Sequence, residues 1–103
     1  MVEKRKHTRM DLDDLAARLF RENGDIEVEY FPINVSPDGV AIFTSLCLPV
    51  GEILKLELEV KTVELVVRWC RPKENDPAIF RVGLELVENS DRLDELIQSQ
   101  LDC

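Results

Sequence analysis

Between Ile53 and Leu86 the chain alternates apolar and polar residues at period two, and no helix can bury such a pattern on one face. Leu54, Leu56 and Leu58 alternate with Lys55, Glu57 and Glu59, the mark of a strand with one dry and one wet face over residues 53–60. Val63, Leu65, Val67 and Trp69 share one face of residues 62–71, with Glu64, Val66, Arg68 and Cys70 on the other, and Pro72 is expected to stop that strand. Lys73 to Pro77 reads as a charged loop. Phe80, Val82, Leu84 and Leu86 then form the buried face of a strand over residues 78–86.

The preceding half carries the same signature with different punctuation. Asn23 and Gly24 tolerate the positive φ of a tight hairpin turn, and Ile26, Val28 and Tyr30 alternate with Glu27 and Glu29 after it. That makes Leu15–Phe20 the hairpin partner, although its intrinsic propensity leans toward helix. Residues Asn34–Gly39, NVSPDG, read as a tight turn in which Pro37 presets φ and Gly39 is free to adopt angles closed to other residues. Val40, Ile42 and Thr44 alternate with Ala41 and Phe43 in the next strand. Only near the end does the period change: Leu93, Leu96, Ile97 and Leu101 recur at helical spacing, Asn89 or Ser90 can cap, and Asp91 and Asp94 suit the positive end of the helix dipole. The expected fold is all-β, a six-stranded antiparallel β-barrel with a C-terminal α-helix, because closure protects the edges that an open sheet would expose. Residues 12–103 form this single domain behind a flexible arm, residues 1–11.

The arm is the electrostatic anomaly. Residues 1–9 hold four Lys or Arg against one acid, a charge of +3, while the remainder holds nine against twenty, a charge of −11. A chain at −8 overall is a poor general partner for nucleic acid, which demands a broad cationic surface, but a small anion needs only a few cations. There is no apolar run of membrane-spanning length and no signal peptide, so membrane insertion is not expected and a cytoplasmic location is. The cysteines, Cys47, Cys70 and Cys103, are odd in number and widely spaced; they read as reduced, with Cys47 and Cys70 as small packing residues.

Two short motifs carry candidate chemistry. Arg5 and Arg9 in RKHTR are two guanidinium groups on one segment, suited to clamping phosphates, pairing with the O6 and N7 edge of guanine, or stacking on its ring. A solvated tail would carry the same residues. Asn34 and Ser36 offer donors and acceptors for a base edge, with Gly39 leaving room beside the backbone; they equally serve to build a turn through hydrogen bonds to the main chain.

Taken in order, RxxxR and then NxSxxG resemble the PilZ family of bacterial cyclic di-GMP receptors, through Arg5, Arg9, Asn34, Ser36 and Gly39. The resemblance extends over VGEILKLELEV, VVRWCRP, RVGLELVE and DRLDELIQSQL, nearly the whole chain. It implies a six-stranded barrel with a terminal helix, and a ligand, cyclic di-GMP, whose phosphates and guanines Arg5 and Arg9 grip while Asn34 and Ser36 hydrogen-bond a guanine. It also implies that Lys4, just before the first motif arginine, influences whether one nucleotide or a stacked pair binds. Asp38 departs from the family pattern, which commonly has Gly there, and adds a negative charge near a dianionic ligand. His7, between the arginines, either adds charge near its pKa or faces water.

No set of nucleophile, base and orienting group is visible, and Asp11, Asp13 and Asp14 form a charge run rather than a placed pair, so no enzymatic activity and no cofactor are expected. The expected function is a cyclic di-GMP receptor that orders its arm on binding and signals to a downstream protein. The alternative is a PilZ-like adaptor that binds no nucleotide.

Overall fold

The computed structural model describes residues 12, 15–22, 26–88 and 91–101. Seven strands and one helix follow in order: β1 (Arg18–Arg21), β2 (Ile26–Val28), β3 (Tyr30–Ser36), β4 (Gly39–Thr44), β5 (Ile53–Glu57), β6 (Thr62–Lys73), β7 (Asp76–Leu86) and α1 (Leu93–Leu101). All pairings are antiparallel, in the order β2-β1-β5-β6-β7-β4-β3.

The two ends of that order are neighbours in sequence, with only Glu29 between β2 and β3. One bent length of chain thus serves both edges, and the sheet curls round a single interior. The bend also accounts for seven strands where six were expected. At this corner the Glu29 carbonyl accepts a hydrogen bond from Thr44 Oγ1 at 2.8 Å, and the Ala17 carbonyl accepts one from Tyr30 Oη at 2.7 Å. Side chains therefore satisfy backbone groups where the ladder is interrupted.

The concave face is aliphatic. Leu19, Val28, Ile42, Leu54, Leu65, Val67 and Val82 are almost completely shielded from water, each side chain contributing roughly 1.5–3 kcal/mol of burial. Helix α1 closes the interior with Leu93 and Ile97, both fully buried, and Leu96 and Leu101 pack at its margin. The expected apolar stripe of the helix is thereby the one observed. Its expected caps, Asn89 and Ser90, and the expected Asn23–Gly24 turn lie outside the described residues. No helix among the described residues is long and apolar enough to cross a membrane.

Several sequence expectations are corrected. Strand β1 begins at Arg18, not Leu15, and β5 ends at Glu57, not Val60. The segment Asn34–Gly39 is not wholly a turn: Asn34 and Ser36 belong to β3, Gly39 opens β4, and only Pro37 and Asp38 make the reversal. Nor does Pro72 stop β6, which continues to Lys73 and pairs Pro72 with Phe80. The reason is local. Strand β5 ends its pairing at Ile53–Val66, so beyond residue 67 β6 has only β7 beside it, and proline is tolerated where an amide has no partner to lose. The supposed loop Lys73–Pro77 is a two-residue turn, Glu74–Asn75, with Lys73 paired to Asp76.

Candidate functional site

The outer face of β3, β4, β7 and β6 is organised by one register shift. Val67 pairs with Leu84, but the next paired residue of β6, Trp69, faces Gly83, leaving Arg68 as the extra residue of a bulge. Beyond the bulge, side-chain alternation is reversed. Val67 points into the core opposite buried Leu84, whereas Trp69 emerges on the outer face, and Cys70 takes the inward position opposite Val82. The expectation that Trp69 shares the face of Val63, Leu65 and Val67 is thus incorrect, because period two holds only while the ladder is unbroken.

Cross-strand pairs then assemble a row Asn34–Ala41–Gly83–Trp69 across four strands. Its middle is made of small residues, and the indole lies directly on Gly83, where a Cβ would stand 2.3 Å from ring atoms. The next row outward contains Phe43, Arg81 and Arg71. The two arginines face each other, and both guanidinium groups lie over the indole, Arg71 at 5.3 Å and Arg81 at 6.0 Å from its centroid. Lys73 Nζ sits 5.7 Å from the Phe43 ring. Among the described residues, no carboxylate lies within ion-pair distance of Arg71, Lys73 or Arg81. Like charges directly opposite one another destabilise a ladder, so this arrangement favours an anion above it.

On the other side of Trp69 lies a shallow depression of about 240 Å³ that contains Asn34, Ser36, Asp38 and Gly39. A larger hollow of about 640 Å³ adjoins it, bounded by Phe43, Arg71, Lys73 and Arg81. Trp69 forms part of both walls. Asn34 and Ser36 are exposed. Ser36 Oγ donates to Asp38 Oδ1 at 3.0 Å and lies 3.4 Å from the Gly39 carbonyl, so the hydroxyl hydrogen is engaged while oxygen lone pairs remain as acceptors.

Gly39 has a different reason to lack a side chain than the turn geometry expected of it. It is not a positive-φ residue; instead a Cβ there would meet the Leu84 carbonyl oxygen of β7 at 2.4 Å. The turn itself is anchored from two sides. Leu86 donates its N–H to the Asp38 carbonyl at 2.8 Å, and Leu93, the first residue of α1, donates to the Pro37 carbonyl at 2.7 Å. The motif is thus bonded directly to the helix.

Of the residues singled out from the sequence, Asn34, Ser36 and Gly39 come together here, while Lys4, Arg5 and Arg9, with His7 and the acids Asp11, Asp13 and Asp14, lie outside the described residues. Trp69, Arg71 and Arg81 were missed. An aromatic between Arg68 and Arg71 was the available signal, but the bulge that turns Trp69 outward has no sequence mark. Neither curated proteins nor solved structures give a significant match to the chain. The family model of the PilZ domain matches residues 3–102. Antiparallel barrel-like sheet, terminal helix, paired motifs and this near-complete match agree, and the chain belongs to the PilZ domain family.

Proposed function

We propose that this protein is a cyclic di-GMP receptor whose ligand lies on the outer face of β3, β4, β7 and β6. PilZ domains are binding and adaptor domains rather than enzymes, which sets the class. The observation that carries the finer reading is the opposed pair Arg71 and Arg81 over Trp69, without a described carboxylate partner and beside Asn34 and Ser36. An aromatic plane accepts a stacked purine, guanidinium groups accept phosphate, and the amide and hydroxyl suit a guanine edge. Arg5 and Arg9 of the arm supply the second set of cations, with Lys4, next to Arg5 in sequence, favouring a stacked pair of nucleotides.

Signalling follows from the hydrogen bond between Leu93 and Pro37. A ligand that shifts the motif turn shifts the first turn of α1, and a downstream protein in the cytoplasm reads the ordered arm and the helix together. The test is calorimetry of the full chain with cyclic di-GMP, on wild type and on Arg5→Ala with Arg9→Ala. Saturable binding at micromolar protein that the double variant loses is expected. No binding by the wild type overturns the receptor reading and leaves the nucleotide-free adaptor, to which Asp38 beside Ser36 would point. One ligand per chain at saturation overturns the stacked pair alone.

A further inference from the structure

A second row runs beside the first. Ser36 pairs with Gly39 and Gly39 with Glu85, so a carboxylate on β7 stands across from the serine of β3 with only a glycine between them. Strands β3 and β7 are two strand spacings apart, about 10 Å, and Gly39 leaves that interval free of side chain. Arg68, the extra residue of the bulge, donates from Nε to Oε1 of the half-buried Glu85. Glu85 Oε2 accepts no hydrogen bond among the described residues. Both side chains border the depression that contains Asn34 and Ser36.

The outer positions of β7 also give this face a polarity. Arg81, Gly83 and Glu85 follow one another on it, and the indole of Trp69 lies on Gly83. One end is cationic, and the other, past the aromatic ring, presents a carboxylate. A guanosine phosphate has matching ends: an anionic phosphate, and a base edge on which N1–H and the 2-amino group donate side by side. A carboxylate accepts both donors at once. Adenine, with an acceptor at N1 and no 2-amino group, offers no such pair.

We propose that Glu85 is a specificity-determining residue that selects guanine, and that Arg68 is the residue that positions its carboxylate. This rests on the receptor reading above and adds a contact from the wall opposite Asn34 and Ser36. By engaging Oε1, Arg68 orients the carboxylate and offsets a charge that would otherwise oppose a dianionic ligand. The bulge thus serves the site twice, turning Trp69 outward and setting a guanidinium beside Glu85.

The test is calorimetry of the full chain with three cyclic dinucleotides. Wild type should bind cyclic di-GMP roughly ten- to a hundredfold tighter than cyclic di-AMP, with cyclic di-IMP, which keeps N1–H but lacks the 2-amino group, in between. Glu85→Gln should fold and melt as wild type does, yet lose most of that preference, because a carboxamide sets one of its own N–H groups against a guanine donor. Arg68→Ala should lower the preference too, and Arg68→Lys, which still pairs with the carboxylate, should restore most of it. A Glu85→Gln protein that keeps the wild-type ranking overturns the proposal and leaves the receptor reading standing. Loss of the ranking in Asp38→Asn but not in Glu85→Gln assigns the contact to Asp38 and also overturns it. Failure of wild type to bind any of the three overturns the receptor reading, and this inference with it.

Discussion

Arg18 and Arg21 on β1 are used in the opposite way to Arg71 and Arg81 on β6 and β7, where Arg68 alone pairs with a carboxylate, Glu85. On the β1 side each described guanidinium has a carboxylate: Arg21 forks onto Glu52 with both contacts at 2.6 Å, and Arg18 reaches Glu27 at 3.2 Å. On the β6–β7 side Arg71 and Arg81 face each other over an indole, and no described carboxylate answers them. A fork matched by a carboxylate is neutralised and has little left to offer a ligand; opposed arginines on an aromatic plane are candidates for an anion, whose charge would relieve their repulsion. The side chains are identical, and only their neighbours separate a structural contact from a candidate binding group.

Substitutions can break or sharpen that contrast. The largest effect is expected at Gly39, within the candidate site yet structurally confined. Gly39→Ala drives a Cβ into the Leu84 carbonyl and should cost about 2–3 kcal/mol in urea unfolding, since the obstacle is backbone. Unchanged stability would return Gly39 to a purely ligand-clearing role. Next, Arg71→Ala with Arg81→Ala should weaken cyclic di-GMP binding roughly ten- to a hundredfold by calorimetry, with stability altered by less than about 0.5 kcal/mol. A large loss of stability instead would mean that these arginines, like Arg21, are structural.

Tyr30, at the corner joining the flanks, gives a pH-dependent effect. Burial raises its phenol from 10.0 to about 12, so below pH 10 it is neutral in folded and unfolded chains alike. Between pH 10 and about 12 the unfolded state ionises first, and stability falls as pH rises, by about 1–2 kcal/mol after allowance for partial exposure. Denaturation of Tyr30→Phe across that window should lack this component. Arg21→Ala, the mirror of the arginine pair, should cost about 1 kcal/mol of stability and leave nucleotide affinity intact. Smallest is Asp38→Asn, which retains an acceptor for Ser36 while removing a charge; calorimetry should show binding tightened about two- to threefold.

Much of the scaffold was legible. Leu54–Leu56, Val63–Leu65–Val67 and Val82–Leu84–Leu86 are buried as their alternation required, and Leu93 and Ile97 are buried as helical spacing required. The errors cluster where pairing, not propensity, decides. Pro72 extends a strand because β5 has already ended, Asn34 and Ser36 are strand residues because β4 lies beside them, and Trp69 turns outward because Arg68 is unpaired. Each depends on which neighbour is absent or displaced, and a linear pattern contains no such statement.

The candidate site divides along the same line. Linear order alone determined the all-β class, the terminal helix, the basic arm and the paired motifs that mark the family, because hydrophobic period, turn chemistry and charge are local properties of a chain. The tertiary structure decided that Asn34, Ala41, Gly83 and Trp69 form one row and that Arg71 and Arg81 oppose each other. These are contacts between residues far apart in sequence, and the register of a curled sheet, with its bulge at Arg68, brings them together.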